Sequence, residues 1–211
     1  MSNFKITYFA CRGRCTAIKM ILSDQGMTWE DETFSSLSEW QTSETKKKAA
    51  FGQLPAFTDG DFTMYQSNAI LRYLARKFDL YGSNDKDAAL IDMLNDGVED
   101  LRMKYLKMIY TNYEEGKADF VKSLSVELDY FEKLLGKNQD GKFCLVGKKI
   151  SFADYNLFDL LNIIEVLQPG TLRPFALLFA FAARIASRPQ ISKFLGSDNH
   201  RKLPINGNGK Q

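Results

Sequence analysis

Apolar and polar positions follow different periods in the two parts of this chain. In residues 1–80, short aromatic and β-branched runs alternate with segments of helical spacing. Phe4–Phe9 is one such run and predicts a strand. Gly13–Gly26 carries apolar residues three and four positions apart, which predicts a helix that ends at Gly26. Thr28–Phe34 predicts a second strand, which completes a β-α-β unit.

A hairpin and another helix are predicted next. Ser35–Gly52 has no regular pattern and is expected to form an irregular loop. Two short apolar runs then flank Asp59-Gly60, a dipeptide typical of tight hairpin turns. Helical spacing returns at Ser67, which we expect to be the N-cap. The order β-α-β, hairpin and helix is that of a thioredoxin-like domain.

The second part of the chain has helical periods only. Small polar residues at 81–85 predict a linker between an α+β thioredoxin-like domain, residues 1–80, and an all-α domain, residues 86–211. Pro189 is expected just past the end of the last helix. The predicted helices are Ala88–Tyr113, Phe120–Leu135, a run after Ser151 that opens with a possible capping box to Asp154, and Pro174–Ser187.

Composition excludes several classes of function. The 211 residues include 28 basic and 26 acidic side chains, a net charge of +2, which is too balanced for a nucleic-acid partner. No apolar run is long enough to span a membrane, and Met1–Lys5 lacks the apolar core of a signal peptide, so we expect a cytoplasmic protein. The lone His200 is expected to be exposed, and no metal site is predicted.

Three positions could carry chemistry, and each has a purely structural alternative. Tyr8 ends a strand before a turn, where its hydroxyl could serve an anion or simply lie in the core. Pro55 opens a strand and is often cis in this fold, which would turn the backbone of Leu54 toward a peptide ligand; the alternative is an ordinary edge-strand proline. Ser67 could bind a carboxylate or only cap its helix.

Taken together, these residues and several longer motifs resemble the cytosolic glutathione S-transferases, specifically their pi class. The resemblance covers the whole chain. In the first domain it is carried by Tyr8, Arg12-Gly13-Arg14, Trp40, Gln53-Leu54-Pro55 and Gln66-Ser67-Asn68. In the second it is carried by Asn95–Arg102, Ile109–Tyr113, Ile150–Asn156 and Leu203–Gln211.

The resemblance implies a role for each matching residue around the glutathione sulfur and glycine. Tyr8 is the catalytic tyrosine whose hydroxyl donates to the glutathione thiolate, and Arg14 is the basic residue near the sulfur. Trp40 and Lys46 hold the glycine carboxylate. The implied activity is conjugation of the thiolate to hydrophobic electrophiles in detoxification. Glutathione is then a co-substrate, with no cofactor or metal.

The other half of glutathione is implied to lie on two loops. The backbone of Leu54, next to Pro55, clamps the cysteinyl unit, with Gln53 beside it. Gln66 and Ser67 hold the γ-glutamyl carboxylate and amine.

The resemblance also implies a homodimer. Asp100 matches an acid that reaches the glutathione site of the neighbouring subunit. Phe51 lies where the family has an aromatic plug that enters that subunit, although the family's usual residue there is tyrosine.

The implied electrophile pocket departs from the family's pattern. Cys11 replaces a small apolar residue, Ala10 replaces a proline, and Ala49 replaces a reactive cysteine that many members carry. Beside Tyr8 and Arg14, the pocket residues are Phe9, Cys11, Leu106, Tyr110, Asn206 and Gly207. Three other functions fit the same fold: a non-catalytic structural protein, a carrier or kinase-binding protein, and a glutathione-dependent isomerase or peroxidase.

Overall fold

The computed structural model describes residues 4–211. Met1–Asn3, which belong to the N-terminal segment Met1–Lys5 compared above with a signal peptide, lie outside this range. It divides into two compact units: the chain up to Phe78 together with Arg188–Gly209, and Asp79–Ser187 together with Lys210–Gln211. The elements in order are β1 Phe4–Phe9, α1 Thr16–Asp24, β2 Trp29–Phe34, α2 Leu37–Thr42, α3 Glu44–Lys48, β3 Ala56–Asp59, β4 Phe62–Tyr65, α4 Ser67–Lys77, α5 Asp85–Thr111, α6 Tyr113–Lys137, a 3-10 turn Gln139–Gly141, α7 Phe152–Leu167, α8 Ala176–Ala186, α9 Pro189–Gly196 and α10 Asp198–Arg201.

The first unit is built on a four-stranded sheet in the order β2-β1-β3-β4. β1 is parallel to β2, and β3 is antiparallel to both β1 and β4. Ile6 of β1 and Phe57 of β3 are buried in its core, and α1 and α4 pack against each other. The predicted strands, hairpin and helices of this half are therefore present. β2 begins one residue later than expected, and α1 spans Thr16–Asp24 where Gly13–Gly26 was predicted.

Ser35–Gly52 is more regular than the sequence pattern indicated. It contains two short helices, α2 and α3, each capped by a serine: the Ser36 hydroxyl accepts from the N–H of Glu39, and the Ser43 hydroxyl accepts from the N–H of Lys46. Helices of six and five residues are too short to show an apolar period, which is why the expectation of an irregular loop was wrong.

In the second unit α7 is the central helix, and 13 of its 16 residues are buried. The predicted capping box is present at its start, between Ser151 and Asp154. The buried guanidinium of Arg102 contacts the carboxylate of Asp159 at 3.0 Å and the side-chain oxygen of Asn156 at 2.9 Å. A polar network thus joins α5 to α7 inside an otherwise apolar core.

The C-terminal segment contradicts two expectations. Pro189 does not follow the last helix but opens α9, because the first position of a helix does not need the N–H that proline lacks. α9 packs against α1, and this groups Arg188–Gly209 with the first unit, whereas the hydrophobic pattern predicts that all of 86–211 belongs to the second domain. The boundary at 81–85 stays a prediction.

His200, expected to be exposed, is buried beside α9. Its ring lies 4.8 Å from that of Phe194, centroid to centroid. Burial lowers its pKa to about 4, and the positive charges of Arg12 and Lys19 act in the same direction. The polar neighbours of His200 in the sequence concealed this, because its contacts come from residues far away along the chain.

We predict that His200 makes the fold acid-sensitive. In the unfolded chain the imidazole takes up a proton near pH 6.5, whereas in the folded chain it stays neutral down to about pH 4. Stability is therefore lost as the pH falls from 6.5 toward 4, by at most about 2 kcal/mol at pH 5. Urea unfolding of wild type and His200→Gln at pH 7.5 and 5 measures this, and an equal pH dependence in both proteins would contradict it.

Residues 4–211 contain neither a membrane-spanning helix nor a metal-binding cluster. No helix in this range is long and apolar enough to cross a membrane. Nor does the described part of the chain hold a group of three or more His, Cys, Asp or Glu side chains arranged for a metal ion.

Candidate active site

The register of the sheet brings three chain segments to one edge. Thr7 of β1 is opposite Ala56 of β3, and Ala56 is in turn opposite Tyr65 of β4. Because β3 is antiparallel to both neighbours, the residue after Thr7, the residue before Ala56 and the residue after Tyr65 lie at the same edge. Tyr8, Pro55 and the segment that opens α4 are therefore assembled side by side by strand pairing alone.

The turn after β1 is built around the ring of Tyr8. The N–H of Arg14 donates to the Tyr8 hydroxyl at 3.2 Å. Gly13 has a φ of +43°, and a Cβ at this position would lie 2.5 Å from that hydroxyl oxygen. Only glycine combines this backbone conformation with the close approach of the phenol. Tyr8 is only partly buried, so its alternative as a core tyrosine is not what the structure shows.

Arg14 joins this turn to the start of α4. Its Nε donates to the hydroxyl of the buried Ser67 at 2.9 Å. The prediction that Ser67 is the N-cap was wrong by one residue, because Gln66 occupies that position with a φ of +72° and Ser67 is the first helical residue. The Ser67 hydroxyl therefore contacts Arg14 at this edge of the sheet. Both residues are among those expected in the site.

The loop before β3 completes this edge. The Leu54–Pro55 bond is cis, as predicted. β3 begins only at Ala56, so Leu54 lies outside the strand ladder. The side chain of Gln66 donates to that of Gln53 at 3.1 Å, which links the loop to the N-terminus of α4.

Trp40 belongs to a small apolar cluster with Phe34 and Ala49, against which Leu54 packs, and Lys46 lies over the Trp40 ring. Trp40 is buried, with its ring 5.2 Å from that of Phe34. The ammonium of Lys46 lies 5.5 Å from the centroid of the Trp40 ring and also donates to the carbonyl of Gly52. The indole thus supports the lysine, and the lysine places a positive charge beside the loop that carries Gln53.

Comparison with known proteins identifies the family of this chain. Residues 4–76 match the family model described as glutathione S-transferase, N-terminal domain, and residues 99–198 match the C-terminal domain model. A relative from Bufo bufo, glutathione S-transferase P 1, is 58% identical over 209 residues, covering 99% of both chains. Human glutathione S-transferase P is 54% identical over the full length of both.

A solved structure agrees with the sequence comparisons. The pi-class glutathione S-transferase of Onchocerca volvulus is 41% identical, covers 99% of this chain and 100% of its own, and superposes with a TM-score of 0.94. This chain belongs to the pi class of the glutathione S-transferase family. The predicted fold and the predicted transferase activity on glutathione are thereby confirmed.

In this glutathione S-transferase, the residues expected to line the electrophile pocket are divided between the two units. In the first, Phe9 has its ring 5.6 Å from that of Tyr8, Asn206 is buried and Gly207 is exposed. Cys11 is buried as well, and burial raises the pKa of its thiol to about 11. The members in the second unit are Leu106, which is partly buried, and Tyr110, which is exposed, both on α5.

The two residues assigned to the dimer are both exposed in the single chain. Asp100 lies on α5, and the side chain of Phe51 is 68% exposed just after α3.

One feature of the site could not be found from sequence patterns. The backbone of the turn after β1 is hydrogen-bonded to the C-terminal segment: the N–H of Arg12 donates to the carbonyl of Pro204 at 2.8 Å, and that of Gly13 donates to Ile205 at 2.9 Å. Backbone pairing between residues about 190 positions apart leaves no periodic signal in either segment.

Proposed function

We propose that Tyr8 activates glutathione in this transferase and that the resulting thiolate attacks hydrophobic electrophiles. The observation that carries the proposal is the hydrogen bond from the Arg14 N–H to the Tyr8 hydroxyl oxygen. A phenol whose oxygen accepts a hydrogen bond becomes a stronger donor through its own hydrogen. At this edge of the sheet the hydroxyl of Tyr8 can donate its hydrogen to the anionic sulfur of glutathione.

The size of the required effect matches one such bond. A free thiol has a pKa of about 8.5, so only a few per cent is thiolate at neutral pH. Lowering that pKa by about 2 units requires roughly 2.7 kcal/mol of differential stabilisation. One hydrogen bond to a charged group contributes about 1.5–3 kcal/mol. Arg14 adds a positive charge that cannot be lost to the thiolate, because a guanidinium stays protonated.

The rest of the edge suits the shape and charge of glutathione. Leu54, outside the ladder at the cis bond, can pair with the cysteinyl unit as an added strand would. Gln66 and Ser67 lie at the N-terminus of α4, where N–H groups favour the γ-glutamyl carboxylate. Lys46, supported by Trp40, supplies a charge for the glycine carboxylate. Gln53 positions Gln66 through their side-chain bond.

The chemical step is a substitution or an addition at carbon. The thiolate forms a carbon–sulfur bond. In a substitution the leaving group departs with the electrons of the bond that breaks, and in an addition the electrons of the broken π bond take up a proton from water. Proximity supplies the remaining rate, since both reactants are held in adjoining pockets. We assign the second pocket to Phe9, Cys11, Leu106, Tyr110, Asn206 and Gly207. Cys11, with a pKa of about 11, contributes a neutral wall to it.

We further propose a cytoplasmic homodimer that needs no cofactor or metal. Asp100 would reach the glutathione of the neighbouring subunit, and the exposed ring of Phe51 would enter that subunit as a plug. Phenylalanine keeps the apolar wedge of the family's tyrosine at this position and lacks only the hydroxyl.

The direct test is an ultraviolet titration of the thiolate of glutathione bound to the wild-type protein. We expect a midpoint near pH 6.5, about 2 units below that of a free thiol. S-methylglutathione, which has no thiol, supplies the baseline, and turnover of a chromogenic aryl halide is followed in parallel. A midpoint near 8.5 would contradict the role of Tyr8, whereas binding without turnover would favour a non-catalytic protein.

A further inference from the structure

We propose that Arg12 is a positioning residue that holds the C-terminal segment, residues 200–207, against the catalytic turn and thereby sets the affinity for the electrophile. The inference rests on the proposed function in one respect: Asn206 and Gly207 of this segment are assigned there to the electrophile pocket. Arg12 itself has no role in that assignment.

The guanidinium of Arg12 closes the end of α10. Its Nε donates to the carbonyl of His200 at 3.2 Å, and its Nη2 donates to that of Arg201 at 3.3 Å. The last carbonyls of a helix have no partner within the helix, and basic side chains commonly satisfy them. Two donors on one rigid plane reach two neighbouring carbonyls, a geometry that the single ammonium of lysine cannot reproduce.

The backbone of the same residue holds the segment further along. The N–H of Arg12 donates to Pro204 and the N–H of Gly13 donates to Ile205, so two adjacent turn residues pair with two adjacent residues of the segment. Side chain and main chain together make four hydrogen bonds between Arg12-Gly13 and residues 200–205. The segment is therefore held at two points along its length, at residues 200–201 and at residues 204–205.

This pairing fixes the next residue, Asn206, relative to the catalytic hydroxyl. Asn206 directly follows Ile205 and is 2% exposed. On the turn side of this pairing, Gly13 lies against the Tyr8 ring, and the N–H of Arg14 donates to the Tyr8 hydroxyl. The path from Asn206 to Tyr8 thus consists of one backbone hydrogen bond and a tight turn. Releasing the segment would move the electrophile pocket while leaving the contacts of Arg14, Ser67 and Gln66 in place.

The kinetic test compares Arg12→Gln and Arg12→Lys with wild type. For Arg12→Gln we expect the KM for a hydrophobic aryl halide to rise about 5- to 20-fold, with the KM for glutathione and the pKa of its bound thiol unchanged. Arg12→Lys should give a smaller rise of about 2- to 5-fold. The matched control is Lys202→Gln, which removes an exposed positive charge from the same segment and should behave as wild type.

A second measurement reads the pairing without catalysis. Hydrogen exchange at the amide of Gly13, which donates to Ile205, should be at least tenfold faster in Arg12→Gln, while the amides of β1 stay protected. This readout stands even if the wild-type thiol proves unactivated, which would overturn only the proposed function. If Arg12→Gln does not fold, Arg12→Lys carries both measurements. The role of Arg12 would be overturned if the Gly13 amide exchanged in Arg12→Gln at the wild-type rate. It would also be overturned if the KM values for glutathione and for the aryl halide rose in parallel.

Discussion

Tyr8→Phe is expected to lose about 5- to 50-fold of its conjugation rate at pH 6.5 while binding glutathione with nearly unchanged affinity. Without the phenolic donor, the pKa of the bound thiol should return from about 6.5 toward 8.5. The thiolate fraction at pH 6.5 then falls from about one half to about one hundredth. Part of this loss is recovered, because a thiolate of higher pKa is intrinsically more nucleophilic.

The same reasoning predicts how the defect depends on pH. Near pH 9 most of the thiol is ionised in both proteins, so the rate defect of Tyr8→Phe should disappear or reverse, because the thiolate of higher pKa is the stronger nucleophile. Tyr73→Phe is the matched control, since its hydroxyl binds Asp59 at the opposite edge of the sheet. The measurements are steady-state turnover of an aryl halide between pH 6 and 9 and titration of the bound thiolate. A defect of the same size at every pH would show that Tyr8 acts otherwise than through the thiol pKa.

The largest loss of stability is expected for Asp154→Ala, at about 3–5 kcal/mol. The carboxylate is fully buried and accepts three hydrogen bonds, from the N–H of Leu145 at 2.7 Å, the N–H of Ser151 at 2.7 Å and the Ser151 hydroxyl at 2.6 Å. Burial raises the pKa of this carboxyl, and the three donors oppose that rise. Alanine leaves all three donors buried without an acceptor, and each such group costs about 1–3 kcal/mol, not additively.

The loss should be visible in thermal unfolding as a midpoint lowered by roughly 6–20 °C. Asp129→Ala is the control: its carboxylate forms an exposed pair with Lys133 on α6, and such pairs contribute less than about 1 kcal/mol. A midpoint within 2 °C of wild type for Asp154→Ala would contradict this account of the capping box.

Local signals were sufficient to predict much of the fold. The strand β1, the hairpin turn at Gly60, the cis bond at Pro55 and the cap at Ser151 are each encoded by a few adjacent residues. The positions of Tyr8, Leu54 and Ser67 at one edge then follow from strand order and register, which the thioredoxin-like arrangement already implies.

What the sequence concealed depends on contacts between distant residues. Trp40 was assigned to an irregular loop because α2 is too short to show a period, and its burial against Phe34 is a tertiary contact. His200 stands among polar residues, yet it packs on Phe194 under the charges of Arg12 and Lys19. Pro189 predicts a helix end from its position just after α8, although proline is equally suited to the first position of a helix, which is where it lies in α9.

Burial of Cys11 has a consequence for the lifetime of the enzyme. A catalyst that concentrates alkylating compounds also exposes its own nucleophiles to them, and a thiolate in the pocket would be consumed in competition with glutathione. With a pKa of about 11, only about one Cys11 in ten thousand is ionised at pH 7. Ala49, at the position where the resemblance implied a reactive cysteine, offers no thiol at all. Neither position 11 nor position 49 therefore offers a thiolate that competes with glutathione for the electrophile.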